Sequence, residues 1–298
     1  MDRDTYYRRT SDVLHPQKLA DRRVVVVGVG SGGARVAEEL ARVGVGQIVL
    51  IDRPGEVLEE HNIVRQPLGY GDLGKPKVQA LRERLRDINR WIEVELSELD
   101  VRSDPQQLRS ICEKSHLVAL CTDNEPSRFV VNEVAVNLGI PMVFASVFDG
   151  GCGGEIGRYL PGQACYACIA TRLGRGAPME EVPATPDYSS PNPLGERSTS
   201  ALNLDITQIS LLQARFCILT LLQPDSHDPE LPANYLVVGN RRVEGLFKGM
   251  LDHEFIPMDR LEDCLVCGRG PNDTIRDADY ESVLASAEVS EVNQPKEP

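Results

Sequence analysis

The stretch VVVVGVGSGGARVA, Val24 to Ala37, decides how the rest of the chain is read. Four consecutive valines suit a strand buried on both faces, as in the middle of a parallel sheet. Gly28, Gly30 and Gly33 follow in a G-x-G-x-x-G pattern, and Ser31 to Val43 reads as a helix. Glycines at these positions allow a tight turn and let a phosphate approach the backbone. The helix N-terminus behind them, beginning at Ser31, adds free N–H groups and partial positive charge. The stretch predicts a nucleotide-binding turn, with a merely structural turn as the alternative. It does not choose between a nicotinamide or flavin dinucleotide and ATP.

Working outward, Gly44 and Gly46 break the helix, and QIVLID, Gln47 to Asp52, is a second buried strand. Asp52 lies 19 residues beyond Gly33, placed to accept from ribose hydroxyls. Within KPKVQALRERLRDIN, Val78, Leu81, Leu85 and Ile88 share one helical face. Strands are predicted at Ile92–Leu96, at Leu117–Cys121 and over PMVFAS, and a helix over PSRFVVNEVAVNLG. The alternation predicts an α/β fold: a Rossmann-like, mainly parallel sheet with helices on both faces. Right-handed crossovers put the strand-to-helix loops at one sheet edge. Asp52 and Thr122–Asn124 are therefore expected beside the glycine turn. Beyond the glycine-rich Gly150–Gly154, a Pro-, Gly- and Ser-rich loop runs from Arg172 to Ser200. Leu204–Leu222 is apolar nearly all round and predicts a buried helix. Two short strand-like pieces follow, around Asn234–Val238 and Glu254–Pro257.

Composition narrows the function classes. Net charge is −13 with no dense Lys/Arg tract, which argues against tracking nucleic-acid phosphates. No apolar run approaches the roughly 18–20 residues that span a bilayer, and MDRDTYYRRTSD has no secretory h-region. The expectation is a cytoplasmic protein without membrane or nucleic-acid partners. Pro271 to Pro298 holds seven acids and predicts a solvated, disordered tail.

Two motifs address the choice of nucleotide. LEEHNIVRQPLGYGDLGKPK contains Asn62, Arg65, Gln66, Asp72, Gly74 and Lys77; CTDNEPSR contains Asp123, Asn124 and Arg128. Arg binds phosphate oxygens bidentately, Lys supplies a point charge, and a carboxylate can hold Mg²⁺. A triphosphate needs such groups and a dehydrogenase does not. Singly, Arg65 and Lys77 could be surface charges, Asn62 a turn residue and Asp123 a helix N-cap.

The eight cysteines include two C-x-x-C pairs, Cys165/Cys168 and Cys264/Cys267. Together they make a closed four-thiolate site suited to structural Zn²⁺. Cys112, Cys121 and Cys217 read as packing. Cys152 stands in a glycine-rich loop.

Glycine turn, Asp52, HNIVRQ, DLGKPK and CTDNEPSR, in this order, resemble the superfamily of ubiquitin-like-protein activating enzymes. Its bacterial members include ThiF-type and molybdopterin-synthase adenylyltransferases. The resemblance covers Tyr6 to Ala170, and more loosely the rest. It implies that Gly28, Gly30, Ser31, Gly33, Asp52, Asn62, Arg65, Gln66, Lys77, Asp123 and Asn124 hold Mg·ATP. Arg65 and Lys77 would stabilise charge during transfer and Asp123 would ligate Mg²⁺. Arg8, or else Arg9, would be an arginine finger reaching a second subunit's site, which implies a homodimer or a paired subunit. The implied reaction adenylates the C-terminal glycine carboxylate of a ubiquitin-like or sulfur-carrier protein, with a conjugating enzyme or sulfurtransferase as a further partner.

The implied organisation is an N-terminal finger segment (1–22), one adenylyltransferase domain (23–270) and the acidic tail (271–298). The domain comprises a nucleotide core (23–150), a crossover loop (170–200) and the zinc clasp joining 165–168 to 264–267. Relatives that form a thioester carry a cysteine after the first C-x-x-C. Ile169–Phe216 contains none, so adenylation without an in-chain thioester is expected, with Cys152 as the residual candidate. An NAD(P) oxidoreductase and a non-catalytic nucleotide-binding scaffold are the alternatives.

Overall fold

The computed structural model describes residues 2–175, 200–222 and 231–268. Of the expected crossover loop 170–200, residues 176–199 lie outside the described residues, as does the expected tail 271–298, and 170–172 belong to a helix. After α1 (Arg3–Tyr7), the chain alternates β1 (Arg23–Val27), α2 (Ser31–Val43), β2 (Gln47–Asp52), α3 (Glu60–Ile63), α4 (Lys77–Ile88) and β3 (Glu93–Glu98). It continues through α5 (Pro105–Cys112), β4 (Leu117–Leu120), α6 (Glu125–Leu138), β5 (Met142–Val147), β6 (Gly153–Tyr159) and α7 (Tyr166–Arg172). α8 (Asn203–Leu222), β7 (Tyr235–Gly239) and β8 (His253–Ile256) follow.

Among the described residues these strands form one eight-stranded sheet in the order β3-β2-β1-β4-β5-β6-β7-β8. β1 to β5 are parallel, as the alternation predicts. β6, β7 and β8 then add as antiparallel strands. The valine run is buried on both faces. Val24 and Val26 pack in a core with α2, α4 and α8, and Val25 and Val27 in a second core with α5, α6 and α7. That is the strand period of two written into a uniform sequence. Each such buried valine contributes roughly 1.5–3 kcal/mol of apolar burial.

α8 is buried along Ile206, Ile209, Ala214, Phe216, Cys217 and Leu221, while Leu204 and Leu211 are exposed. By length and composition alone it is long and apolar enough to cross a membrane, which corrects the expectation that no such run exists. It packs on α2, β5 and β6 instead. Gln213 interrupts its apolar surface and donates to the carbonyls of Leu120 (3.0 Å) and Val143 (3.2 Å), bracing the ends of β4 and β5.

Candidate active site

Strand order reverses between β1 and β4, which makes the crevice at their C-terminal ends the ligand position in a doubly wound sheet. Both chain segments flanking it carry predicted site residues. After β1, Gly28 takes φ +88°, and a Cβ there would lie 2.8 Å from the Cys121 carbonyl. A Cβ on Gly33 would lie 1.9 Å from the Gly28 carbonyl. These two positions need glycine, so helix and turn can close on each other. A Cβ on Gly30 would meet no atom of the described residues within 4 Å. Gly30 begins α2 without a side-chain cap, leaving the N–H groups at Ser31 and beyond open to an anion.

Asp52 ends β2 and accepts from the Val29 N–H at 3.3 Å and the Arg53 N–H at 2.9 Å. Its carboxylate is thus pinned to the glycine turn. Burial raises its pKa above the usual carboxylate range despite those hydrogen bonds and the charge of Lys77. Lys77 begins α4 and its ammonium, 13% exposed, meets Glu56 at 2.6 Å. Glu56 also binds Arg53 at 2.5 Å. Burial alone would raise the Glu56 carboxyl, but the hydrogen bond and charge of Lys77, with Arg53, bring it below the usual value. The backbone builds this pairing: Val57 bridges Pro76, and the Lys77 N–H donates to the Glu56 carbonyl at 2.9 Å. Gly74, at φ +78°, turns the chain so that its N–H reaches the Leu58 carbonyl.

Asn62, Arg65 and Gln66 stand on the intervening loop, which packs Leu58, Ile63 and Leu68 against Ala80 of α4. Asn62 accepts from the Glu59 N–H at 3.0 Å and so shapes the α3 turn. Arg65 Nε and Gln66 Oε1 are buried with no hydrogen-bond partner among the described residues, and so is Thr122 Oγ1 after β4. Such orphaned groups fit a polar ligand.

Across the crevice, the cap of α6 is Asn124, accepting from the Ser127 N–H at 3.0 Å. This excludes the N-cap reading of Asp123, whose residue is exposed, and gives Asn124 a structural duty. Arg128, from the same motif, serves as scaffold. It is buried, and it donates to the Thr122 carbonyl (3.1 Å) and the Ser146 hydroxyl (2.5 Å).

Arg8 and Arg9 are not brought to this crevice. Tyr7, one residue earlier, is buried against Gly44 and hydrogen-bonded to Asn89 at 2.6 Å. Gly44 follows the far end of α2 from Gly30; its 13 residues span about 20 Å. Two concavities, of about 500 and 190 Å³, also lie at that opposite edge, around Arg23, Lys114 and His116 and around Gly139 and Pro161. They touch none of the predicted site residues.

The four C-x-x-C sulfurs converge. All lie within 4.8 Å of one another and all four residues are buried. Cys165 lies 3.9 Å from Cys168 and 3.8 Å from Cys264, and Cys168 lies 3.3 Å from Cys267. Tetrahedral ligands at about 2.3 Å from Zn²⁺ are about 3.8 Å apart, so the set fits that ion. Burial pushes the Cys112 and Cys121 thiols up to about 12 and Cys217 well above its usual value, consistent with packing roles. Glu56 and Gln213 escaped sequence reasoning. Glu56 was signalled only by being an acid close behind Asp52, and Gln213 by standing in an apolar run.

A profile described as the ThiF family matches residues 7–242, and the chain belongs to that family. The SAMP-activating enzyme E1 of Haloferax volcanii is 30% identical over 268 residues, 88% of this chain and 86% of that one. The sulfur carrier protein ThiS adenylyltransferase of Escherichia coli K12 is 34% identical over 156 residues, 51% of this chain and 60% of that one. Among solved structures, E. coli MccB with ATP superposes with a TM-score of 0.65 at 23% identity, covering 90% of this chain and 75% of that one. That likeness is one of fold.

Proposed function

We propose that this protein adenylates the C-terminal glycine carboxylate of a ubiquitin-like or sulfur-carrier protein with ATP. The observation that carries the reading is the Lys77 ammonium, held by Glu56 beside the Asp52 carboxylate that is hydrogen-bonded to the glycine turn. A largely buried cation next to a nucleotide turn answers a triphosphate. The oxidoreductase reading leaves Lys77, Arg65, Gln66 and Asp123 without a task. The named activating enzyme and adenylyltransferase among the relatives support the same reaction.

In this reading Asp52 accepts from ribose hydroxyls and the open α2 N-terminus receives phosphate oxygens. Arg65 and Lys77 lie along the phosphates, Lys77 exchanging Glu56 for them. A carboxylate oxygen attacks the α-phosphorus, the bond to the bridging oxygen breaks, and pyrophosphate leaves. Charge accumulates on phosphate oxygens, so fixed cations and positioning carry the catalysis. Asp123 would hold Mg²⁺, whose charge would be shared by the phosphates. The finger arginine, Arg8 with Arg9 beside it, acts across a homodimer boundary, because its own crevice is a helix length away. The absence of cysteine from Ile169 to Phe216 supports release of the adenylate to a separate sulfurtransferase or conjugating enzyme, in the cytoplasm.

The test is calorimetric titration with Mg·ATP and, separately, NAD⁺, beside an Asp123→Ala variant. Mg²⁺-dependent ATP binding that weakens in the variant, with no NAD⁺ heat, is expected. NAD⁺ binding indifferent to Asp123→Ala would return the chain to the oxidoreductases.

A further inference from the structure

The Thr122–Asn124 loop is supported by a polar path that runs back to the cysteine centre. Cys165 is the N-cap of α7, and its sulfur accepts from Asn132 Nδ2 of α6 at 3.6 Å. The other amide atom of Asn132, Oδ1, accepts from the Tyr166 N–H at 2.8 Å. Asn132 and Tyr166 are both 0% exposed. The Tyr166 hydroxyl then donates to the Glu125 carboxylate. Glu125 opens α6, two residues after Asp123, and pairs with Arg128 at 3.6 Å. Arg128 lies over the Tyr166 ring, 6.0 Å from its centroid, and its Nε holds the Thr122 carbonyl at 3.1 Å. Asp123 therefore sits between a carbonyl clamped by Arg128 and a side-chain cap at Asn124.

We infer that Tyr166 is a positioning residue that ties the four-cysteine centre to the Thr122–Asn124 loop and thereby places the Asp123 carboxylate for its divalent cation. The inference rests on the reading of Asp123 given under Proposed function. Packing alone asks only for the aromatic ring, which already meets Phe129 and Phe144 edge-on. The hydroxyl adds a hydrogen bond to a charged acceptor in a buried setting, where such bonds are strongest. Without it, Glu125 keeps the longer contact to Arg128 among the described residues, and the loop is joined to Tyr166 by the ring contact of Arg128 but no longer by a hydrogen bond.

The experiment is calorimetric titration of the full chain with ATP at stepped Mg²⁺ concentrations, comparing wild type, Tyr166→Phe and Glu125→Ala. Zinc content and unfolding midpoint are measured on each. Tyr166→Phe removes one oxygen, and Glu125→Ala removes its acceptor without touching α7. The expected result is a rise of about tenfold in the Mg²⁺ concentration for half-saturation in both variants, on the scale of one charged hydrogen bond. ATP binding extrapolated to saturating Mg²⁺ and zinc content stay as in wild type. An unchanged Mg²⁺ dependence in both variants overturns the inference while leaving the adenylation reading intact. A shift in Tyr166→Phe alone, accompanied by zinc loss, also overturns it, because the path through Glu125 would then be idle. Wild type that binds no ATP at any Mg²⁺ concentration sinks the underlying reading, and the inference with it.

Discussion

The nucleotide crevice and the cysteine side of the sheet treat buried polar groups in opposite ways. Beside the glycine turn the N-terminus of α2 has no side-chain cap and Thr122 Oγ1 is buried with no hydrogen-bond partner among the described residues, as are Arg65 Nε and Gln66 Oε1 on the loop before α4. On the other side, Glu155 of β6 is 0% exposed and answered by Arg175 and Tyr235. Asn132 uses both amide atoms there, and the four sulfurs face one another. Unsatisfied buried groups cost stability unless something binds them. The nucleotide side leaves polar groups open, whereas the polar groups of the cysteine side are completed largely from within the chain.

The severest way to break this contrast is to attack the cysteine side. Cys264→Ser, or exhaustive chelation, is expected to lower the unfolding midpoint by on the order of 10 °C, with about one zinc released per chain by metal analysis. A midpoint that does not move would mean the clasp carries no stability. On the crevice side, Lys77→Ala is expected to lower pyrophosphate exchange roughly 10²- to 10³-fold while the unfolding midpoint changes little. A variant that unfolds before it loses activity would make Lys77 a structural cation and blur the comparison.

Arg175→Ala sharpens it. Burial alone would raise the Glu155 carboxyl, but Arg175 and Tyr235 hold it below the usual carboxylate value. A depressed folded-state value contributes stability that is present above the unfolded pKa and lost as pH falls through the folded one. Removing Arg175 strands a buried carboxylate and costs roughly 3–5 kcal/mol at neutral pH. The gap to wild type in denaturant melts should narrow as pH drops below about 4.5. Asp52→Asn is the mildest and has the opposite sign. The raised folded-state pKa of Asp52 means its charge costs stability at neutral pH. The variant should melt at or slightly above wild type at pH 7, the difference vanishing once Asp52 is protonated in acid, while ATP binding weakens. A variant that melts lower at neutral pH would show that the hydrogen bonds to Val29 and Arg53 outweigh the cost of burial.

Much of this was legible along the chain because it is local. The valine run, the spacing of Gly28 and Gly33, and the helical face of Val78, Leu81 and Leu85 each repeat with the period of their element. β6 was not legible. Its Gly153 and Gly154 read as part of a glycine-rich loop and no strand is predicted over Gly157, yet these glycines are small because large neighbours lie against them. A Cβ on Gly157 would lie 2.0 Å from the Phe144 ring, and one on Gly153 2.7 Å from Phe247. Those partners are distant in sequence, so composition points the wrong way.

By itself the sequence determined the parallel core, the nucleotide turn, the two C-x-x-C pairs and the order of motifs that marks the family. Each depends on residue type at short spacing, which backbone geometry converts directly into structure. Only the tertiary structure decided that Glu56 holds Lys77, that Arg128 is scaffold, that Asn124 rather than Asp123 caps α6, and that Arg8 lies a helix length from its own crevice. These are matters of which side chains meet across the sheet and its loops, and burial and charge pairing settle them only once the chain has folded.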